Sequence, residues 1–160
     1  MGGFNMYKNI LAAIDNGPCA KSVSESAIAH ALAFKAKLTL CHIKKNTIVY
    51  NSMISVGMLS TPHIIQDNSY SMDEELEHIK KEAMAAGVKE VEIVQTHSST
   101  PGIAIADAIA PSYDVDLIVC GKSDKSHLNR LLLGSVSSNI THYAKCHVLL
   151  VQDVEDEAAF

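Results

Sequence analysis

Asp116-Leu117-Ile118-Val119-Cys120-Gly121 is the stretch on which the fold turns. It runs on through Lys122-Ser123-Asp124-Lys125-Ser126-His127-Leu128-Asn129-Arg130-Leu131-Leu132-Leu133 to Gly134-Ser135-Val136-Ser137. Residues 117–120 form an unbroken apolar run, the pattern of a strand buried on both faces. Such strands belong to parallel sheets covered by helices on each side. Gly121 stops the run, and Gly134-Ser135 opens a second stretch, Ser135 to Tyr143, that reads as a short helix. Strand, long turn and helix thus follow one another within one segment.

The same alternation continues outward in both directions. Toward the C-terminus, Val148-Leu149-Leu150-Val151 reads as a fifth strand. Toward the N-terminus, Thr100-Pro101 caps a helix running to about Ala110, ahead of Pro111, and Val91-Glu92-Ile93-Val94 reads as the third strand. Ser71-Met72-Asp73-Glu74 has the form of a capping box. It predicts a helix with Met72, Leu76, Ile79 and Ala83 inward, ended by Gly87. Lys44 to Tyr70 carries mixed signals, and a loop of that length in a compact domain tends to serve function. Before it stand a strand at Leu38–Ile43 and a helix from Pro18 with Val23, Ala27, Ala31 and Phe34 on one stripe. The first strand is Asn9 to Ile14, stopped by Asp15-Asn16-Gly17. This order predicts an α/β fold: a three-layer, doubly wound, five-stranded parallel sheet of Rossmann-like kind. In such sheets ligands bind beyond the carboxyl ends of the strands, at the switch point of strand order.

Length and composition bound the rest. At 160 residues the chain holds one domain, expected over residues 6–152 with flexible termini at 1–5 and 153–160. A hydrophobic share of 48% and a charged share of 19% place it among globular proteins rather than disordered ones. The net charge of −5, with no Lys/Arg block, argues against a nucleic-acid surface. Cys19, Cys41, Cys120 and Cys146 form no C-x-x-C pair and read as buried reduced thiols of a cytoplasmic protein. The eight His residues lack ligand spacing, so no protein-built metal site is expected. No signal peptide and no run of about 20 apolar residues is present, so neither secretion nor a membrane span is expected.

The turn after the fourth strand has chemical content. Free backbone N–H groups and the positive dipole end at a Gly-Ser helix start make a natural phosphate cradle. Gly134 lacks a Cβ that would hold a phosphate away, and the Ser135 and Ser137 hydroxyls can donate to one. On spacing alone a structural reading stands beside this: Gly121 as a strand exit, Ser135 or Ser137 as a helix cap. Gly121-Lys122-Ser123 is not a P-loop tail, because Asp116 stands where the first glycine belongs.

The stretch resembles the signature of ATP-binding universal stress proteins, G-x2-G-x9-G-[S/T], through Gly121 and Gly134-Ser135 at the right distance. Arg130-Leu131-Leu132-Leu133-Gly134-Ser135-Val136-Ser137 is close to the family's wording. Met6 to Asp15 resembles its opening strand and aspartate, and Asp116 to Gly121 its fourth strand. The similarity spans about Met6 to Gln152. It implies the adenine nucleotide alpha hydrolase-like version of the fold, a stress-response role, and a homodimer through the last strand, His147 to Gln152. It also implies ATP, or AMP or ADP, as ligand, with Mg²⁺ held mainly by phosphate oxygens. Carried over by position, Asp15 and Ile43, with Ala13 nearby, line the adenine and ribose side. Gly121, Gly134, Ser135, Val136 and Ser137 surround ribose and phosphates. Ile14 and Lys122 complete the expected binding set. Taken alone, Asp15 reads equally as a helix cap and Ile43 as a core residue.

One position departs from the signature. Asp124 replaces the second glycine. Asp tolerates a left-handed backbone, so the turn can survive. Its carboxylate either repels phosphate, offset by Lys122, Lys125 and Arg130, or reaches Mg²⁺ or a ribose hydroxyl. His147, where the family often has proline, is a smaller departure. Two other parallel folds fail on residues: a receiver domain needs an aspartate where Gln95-Thr96-His97 stands, and Asp15-Asn16-Gly17-Pro18 cannot serve as a dinucleotide loop. Three functions remain, ranked in this order: a nucleotide-binding regulatory module, a nucleotide-free dimeric interaction module, and a slow ATP hydrolase. The last ranks lowest because His127 and Asp124, the only nearby groups able to activate water, have no telling context.

Overall fold

The computed structural model describes residues 5–45, 69–122 and 133–152. Within them the expected alternation is borne out. Strands β1 (Asn9–Ala13), β2 (Lys37–Lys44), β3 (Val91–His97), β4 (Leu117–Gly121) and β5 (His147–Val151) form one sheet in the order β3-β2-β1-β4-β5. Every pairing is parallel. The chain winds outward from β1 to β3 and then crosses to β4 on the other side. The switch point therefore lies between β1 and β4.

The apolar runs work as two-sided strands because successive residues face opposite layers. Ile10, Ala12, Leu38, Leu40, Leu117 and Val119 join one buried cluster with Val23, Ala27 and Ala31 of α1 (Ala20–Phe34) and Met72, Leu76, Ile79 and Ala83 of α2 (Ser69–Ala86). Leu11, Cys41, Ile43, Ile118 and Cys120 join the opposite cluster with Ile105, Ile109 and Ile140. That layer comprises α3 (Pro101–Ile103), a π-helical segment (Ala104–Ile109), α4 (Ala110–Ser112) and α5 (Ser135–Tyr143). Asp116 ties the central strands together at their amino ends, accepting from the N–H groups of Lys8 at 2.8 Å and Asn9 at 3.2 Å.

Three helix boundaries differ from expectation. Helix α1 begins at Ala20 rather than at Pro18, which sits in the turn closed by Ala20 N–H donating to the Gly17 carbonyl at 3.1 Å. Helix α2 is already under way at Ser71, because Ser69-Tyr70 contains no residue that opposes helical dihedrals. The helical path from Pro101 passes through Pro111 to Ser112. Its widened π turn, with Ala110 N–H donating to the Ile105 carbonyl, precedes the proline and relieves the clash an α-helical register would impose. Gly87 ends α2 as expected, at φ +113°, a conformation that glycine adopts without strain. Most of the Lys44 to Tyr70 connection lies outside the described residues, as do the termini before residue 5 and after residue 152.

All four cysteines are free; Cys19, Cys41 and Cys120 are buried and Cys146 is half-buried. Burial pushes the thiols of Cys41 and Cys120 up to about 12. Among the described residues, no helix is long and apolar enough to cross a membrane.

Candidate functional site

A cleft opens at the carboxyl ends of β1 and β4, where the topology calls for one. It is lined by Ala13, Asp15, Gly17, Pro18, Cys19, Val23 and Gly121. The chain leaves β1 at Ile14 and turns sharply, because Asp15 Oδ1 accepts from Gly17 N–H at 2.8 Å in an Asx turn. Asp15 is exposed, and its carboxylate keeps acceptor capacity beyond that one bond. It does not cap α1, whose N-cap is Cys19.

Gly121 closes the cleft from the β4 side. A Cβ there would stand 2.6 Å from Cys19 Cβ, well inside contact distance. The glycine is thus required by the approach of the β1–α1 turn. Cys19 Sγ donates to the Lys122 carbonyl at 3.5 Å, and Lys122 N–H donates to the Val151 carbonyl at 2.8 Å. Lys122 is partly exposed.

The phosphate-cradle residues form the first turn of α5. Gly134 is its N-cap in extended geometry, and no side chain caps the helix. Ser135 is exposed, and Val136 is half-buried against the cluster that Ala13 also joins. Ser137 is buried at 1% exposure, and its hydroxyl donates to the Gly134 carbonyl at 3.1 Å. That bond stabilises the turn and commits the hydroxyl proton. Ile43 lies buried on the same sheet face as Val136. Ile14 turns its side chain into the opposite core, next to α1. The structure therefore brings Ala13, Asp15 and Gly121 into one cleft, places Ile43 and Val136 beneath the same face, and sends Ile14 elsewhere. Asp124, Lys125, His127 and Arg130 lie outside the described residues.

Three contributors escaped the sequence reading. Gly17 supplies the N–H that folds Asp15 back. Cys19 meets Gly121, 102 positions further along the chain, a contact invisible to local pattern. Gly102 allows α3 to pack on α5: a Cβ there would stand 2.5 Å from the Val136 carbonyl oxygen and 2.7 Å from Asn139 Cβ. Only the glycine itself, just inside a Thr-Pro helix start, could have raised the question.

Comparison with known proteins agrees with this architecture. A universal stress protein solved in complex with cAMP superposes with a TM-score of 0.66 at 22% identity, over 91% of this chain and 97% of its own. A universal stress protein from Archaeoglobus fulgidus in complex with dAMP gives 0.61 at 20% identity, over 91% and 98%. At those identities the likeness establishes the fold alone. In sequence, a Staphylococcus saprophyticus protein named for the universal stress proteins is 32% identical over 149 residues, 93% of this chain and 86% of that one. The family model described as "Universal stress protein family" matches residues 6–152. Sheet order, the cleft at the switch point and a match over nearly the whole length lead to one assignment: the chain belongs to the universal stress protein family.

Proposed function

We propose that the chain binds an adenine nucleotide in the cleft between β1 and β4 and acts as a cytoplasmic regulatory module in a stress response. The observation that carries this is the convergence of Ala13, Asp15 and Gly121 at the switch point. The site residues fit the ligand's parts. Asp15 offers an exposed carboxylate to ribose hydroxyls, while Ile43 and Ala13 offer apolar surface. The first turn of α5, from Gly134 through Ser135 and Val136 to Ser137, presents N–H groups that no side chain caps. Ile14 acts through its backbone position and Lys122 through its charge. Fold relatives carrying cAMP and dAMP support an adenine ligand, and ATP is the form the signature favours. Mg²⁺, when bound, would be held by phosphate oxygens.

Titration calorimetry with ATP, with and without Mg²⁺, tests the reading. Saturable heat is expected, and no heat at millimolar nucleotide would remove it. Asp124→Gly separates the two roles of that carboxylate: tighter binding means it opposes phosphate, and weaker binding only with Mg²⁺ means it helps hold the ion.

A second reading, a nucleotide-free module working through dimer contacts, draws on one observation. The Gly121–Cys19 packing and the Ser137–Gly134 hydrogen bond explain two signature positions without any ligand. Native mass spectrometry of the purified protein distinguishes the two by the mass of a co-purifying nucleotide.

A further inference from the structure

His42 lies on β2, one residue before Ile43, and its Nδ1 stands 2.8 Å from the carbonyl oxygen of Ile14. A carbonyl can only accept, so Nδ1 carries the proton and donates it. Ile14 is the first residue beyond β1, and its N–H donates to the Cys41 carbonyl at 2.8 Å. Two neighbouring residues of β2 thus hold both polar backbone groups of the residue that precedes Asp15. The Asx turn at Asp15 and Gly17 starts from that fixed point.

A polar cluster lies at the carboxyl ends of β2 and β3. Gln95 Nε2 donates to Asp73 Oδ1 at 2.8 Å, and Lys44 Nζ lies 3.5 Å from the same oxygen. The Gln95 hydrogen bond, with the Lys44 ammonium adding positive charge, holds the Asp73 carboxyl below its usual range.

We propose that His42 is a positioning residue of the nucleotide cleft: its Nδ1–H, clamped on the Ile14 carbonyl, fixes the direction in which the chain leaves β1 and so the placement of Asp15. This rests on the adenine-nucleotide reading above. Without the clamp the turn samples other directions, and a ligand must select the competent one, which weakens apparent affinity.

The test compares His42→Phe, which keeps a ring but has no donor, with His42→Asn, whose Nδ2 stands close to where Nδ1 was. The ATP dissociation constant of His42→Phe is expected to rise about five- to tenfold, the equivalent of one hydrogen bond. His42→Asn should stay within about twofold of wild type on the same scale. Thermal denaturation of both variants is measured alongside. A lowered Tm with ATP affinity unchanged in His42→Phe would mean a purely structural role and overturn the proposal. Should His42→Phe not fold, NMR of the wild-type protein decides. An Nδ1–H resonance of His42 that shifts on ATP addition supports the clamp, and one indifferent to ATP overturns it. Wild-type protein that binds no ATP would instead remove the nucleotide reading, and this inference with it.

Discussion

Gly121 shows how a residue can be legible while the neighbour that requires it is not. Its place at the end of an apolar strand marks it as a strand exit, and the family resemblance sets it beside ribose and phosphates. The structure adds a nearer reason: Cys19 Cβ occupies the space a side chain would need. The partner is the N-cap of α1, and no periodicity links it to β4. Gly121→Ala should therefore destabilise the protein by about 1–3 kcal/mol, the usual cost of overpacking a filled site. Cys19→Gly in the same molecule would remove the opposing Cβ. Urea denaturation of both single variants and the double should give a non-additive cycle, with the double recovering much of the loss. Simple additivity would show that the two residues do not crowd each other. Asp15 was legible in the same partial way: its position after β1 was clear, but its Asx bond to Gly17, which excludes the alternative reading as a cap of α1, was not.

Helices and strands followed the apolar pattern closely because burial on two faces leaves few alternatives. Val23, Ala27 and Ala31 on α1, and Met72, Leu76, Ile79 and Ala83 on α2, are all buried where their spacing placed them. Capping signals were less dependable. Ser71-Met72-Asp73-Glu74 did not start α2, and Pro111 did not stop the helical path, because each local signal is worth little against the packing of a whole element. The contact between α3 and α5 had no sequence marker beyond Gly102. Gly102→Ala must push Val136 and the start of α5 away. A loss of about 1–3 kcal/mol in chemical denaturation is expected, together with weaker ATP binding, because the displaced turn bears the cradle N–H groups. Undiminished ATP affinity in a destabilised variant would detach α5 from the site. Strands β2 and β4 carry a second prediction. Their buried thiols, Cys41 and Cys120, are raised from 9.0 to about 12, so the folded state keeps them protonated. Their contribution is complete below pH 9.0 and is lost as pH rises toward 12, since only the unfolded chain ionises in that window. The slope for each thiol approaches about 1.4 kcal/mol per pH unit. Urea midpoints at pH 8 and pH 10.5 should fall more steeply for wild type than for a Cys41→Ala, Cys120→Ala variant. Parallel slopes would mean that other groups govern alkaline stability.

At the scale of the whole molecule, the sheet has two edges, β3 and β5, and they are not equivalent. Among the described residues β5 pairs only with β4, which leaves one row of its backbone groups without a described strand beside it. Its residues Val148, Leu149 and Val151 are half-buried, Leu150 is 36% exposed, and Tyr143 of the preceding helix is 40% exposed. An apolar edge strand of this kind invites pairing with another chain. A two-fold copy of β5 would satisfy the backbone and cover the same side chains with their own mates. The cleft is one strand away, joined to this edge by the Lys122 N–H bond to the Val151 carbonyl. We therefore expect a homodimer in sedimentation at micromolar concentration. Leu150→Lys places a charge in the centre of the proposed contact, where burying it unpaired is costly, and should yield monomer. Because Leu150 packs little within its own chain, the variant should keep its fold, so circular dichroism would stay unchanged while the sedimentation coefficient falls. A wild-type monomer at tens of micromolar, or a Leu150→Lys dimer as tight as wild type, would rule out pairing through β5.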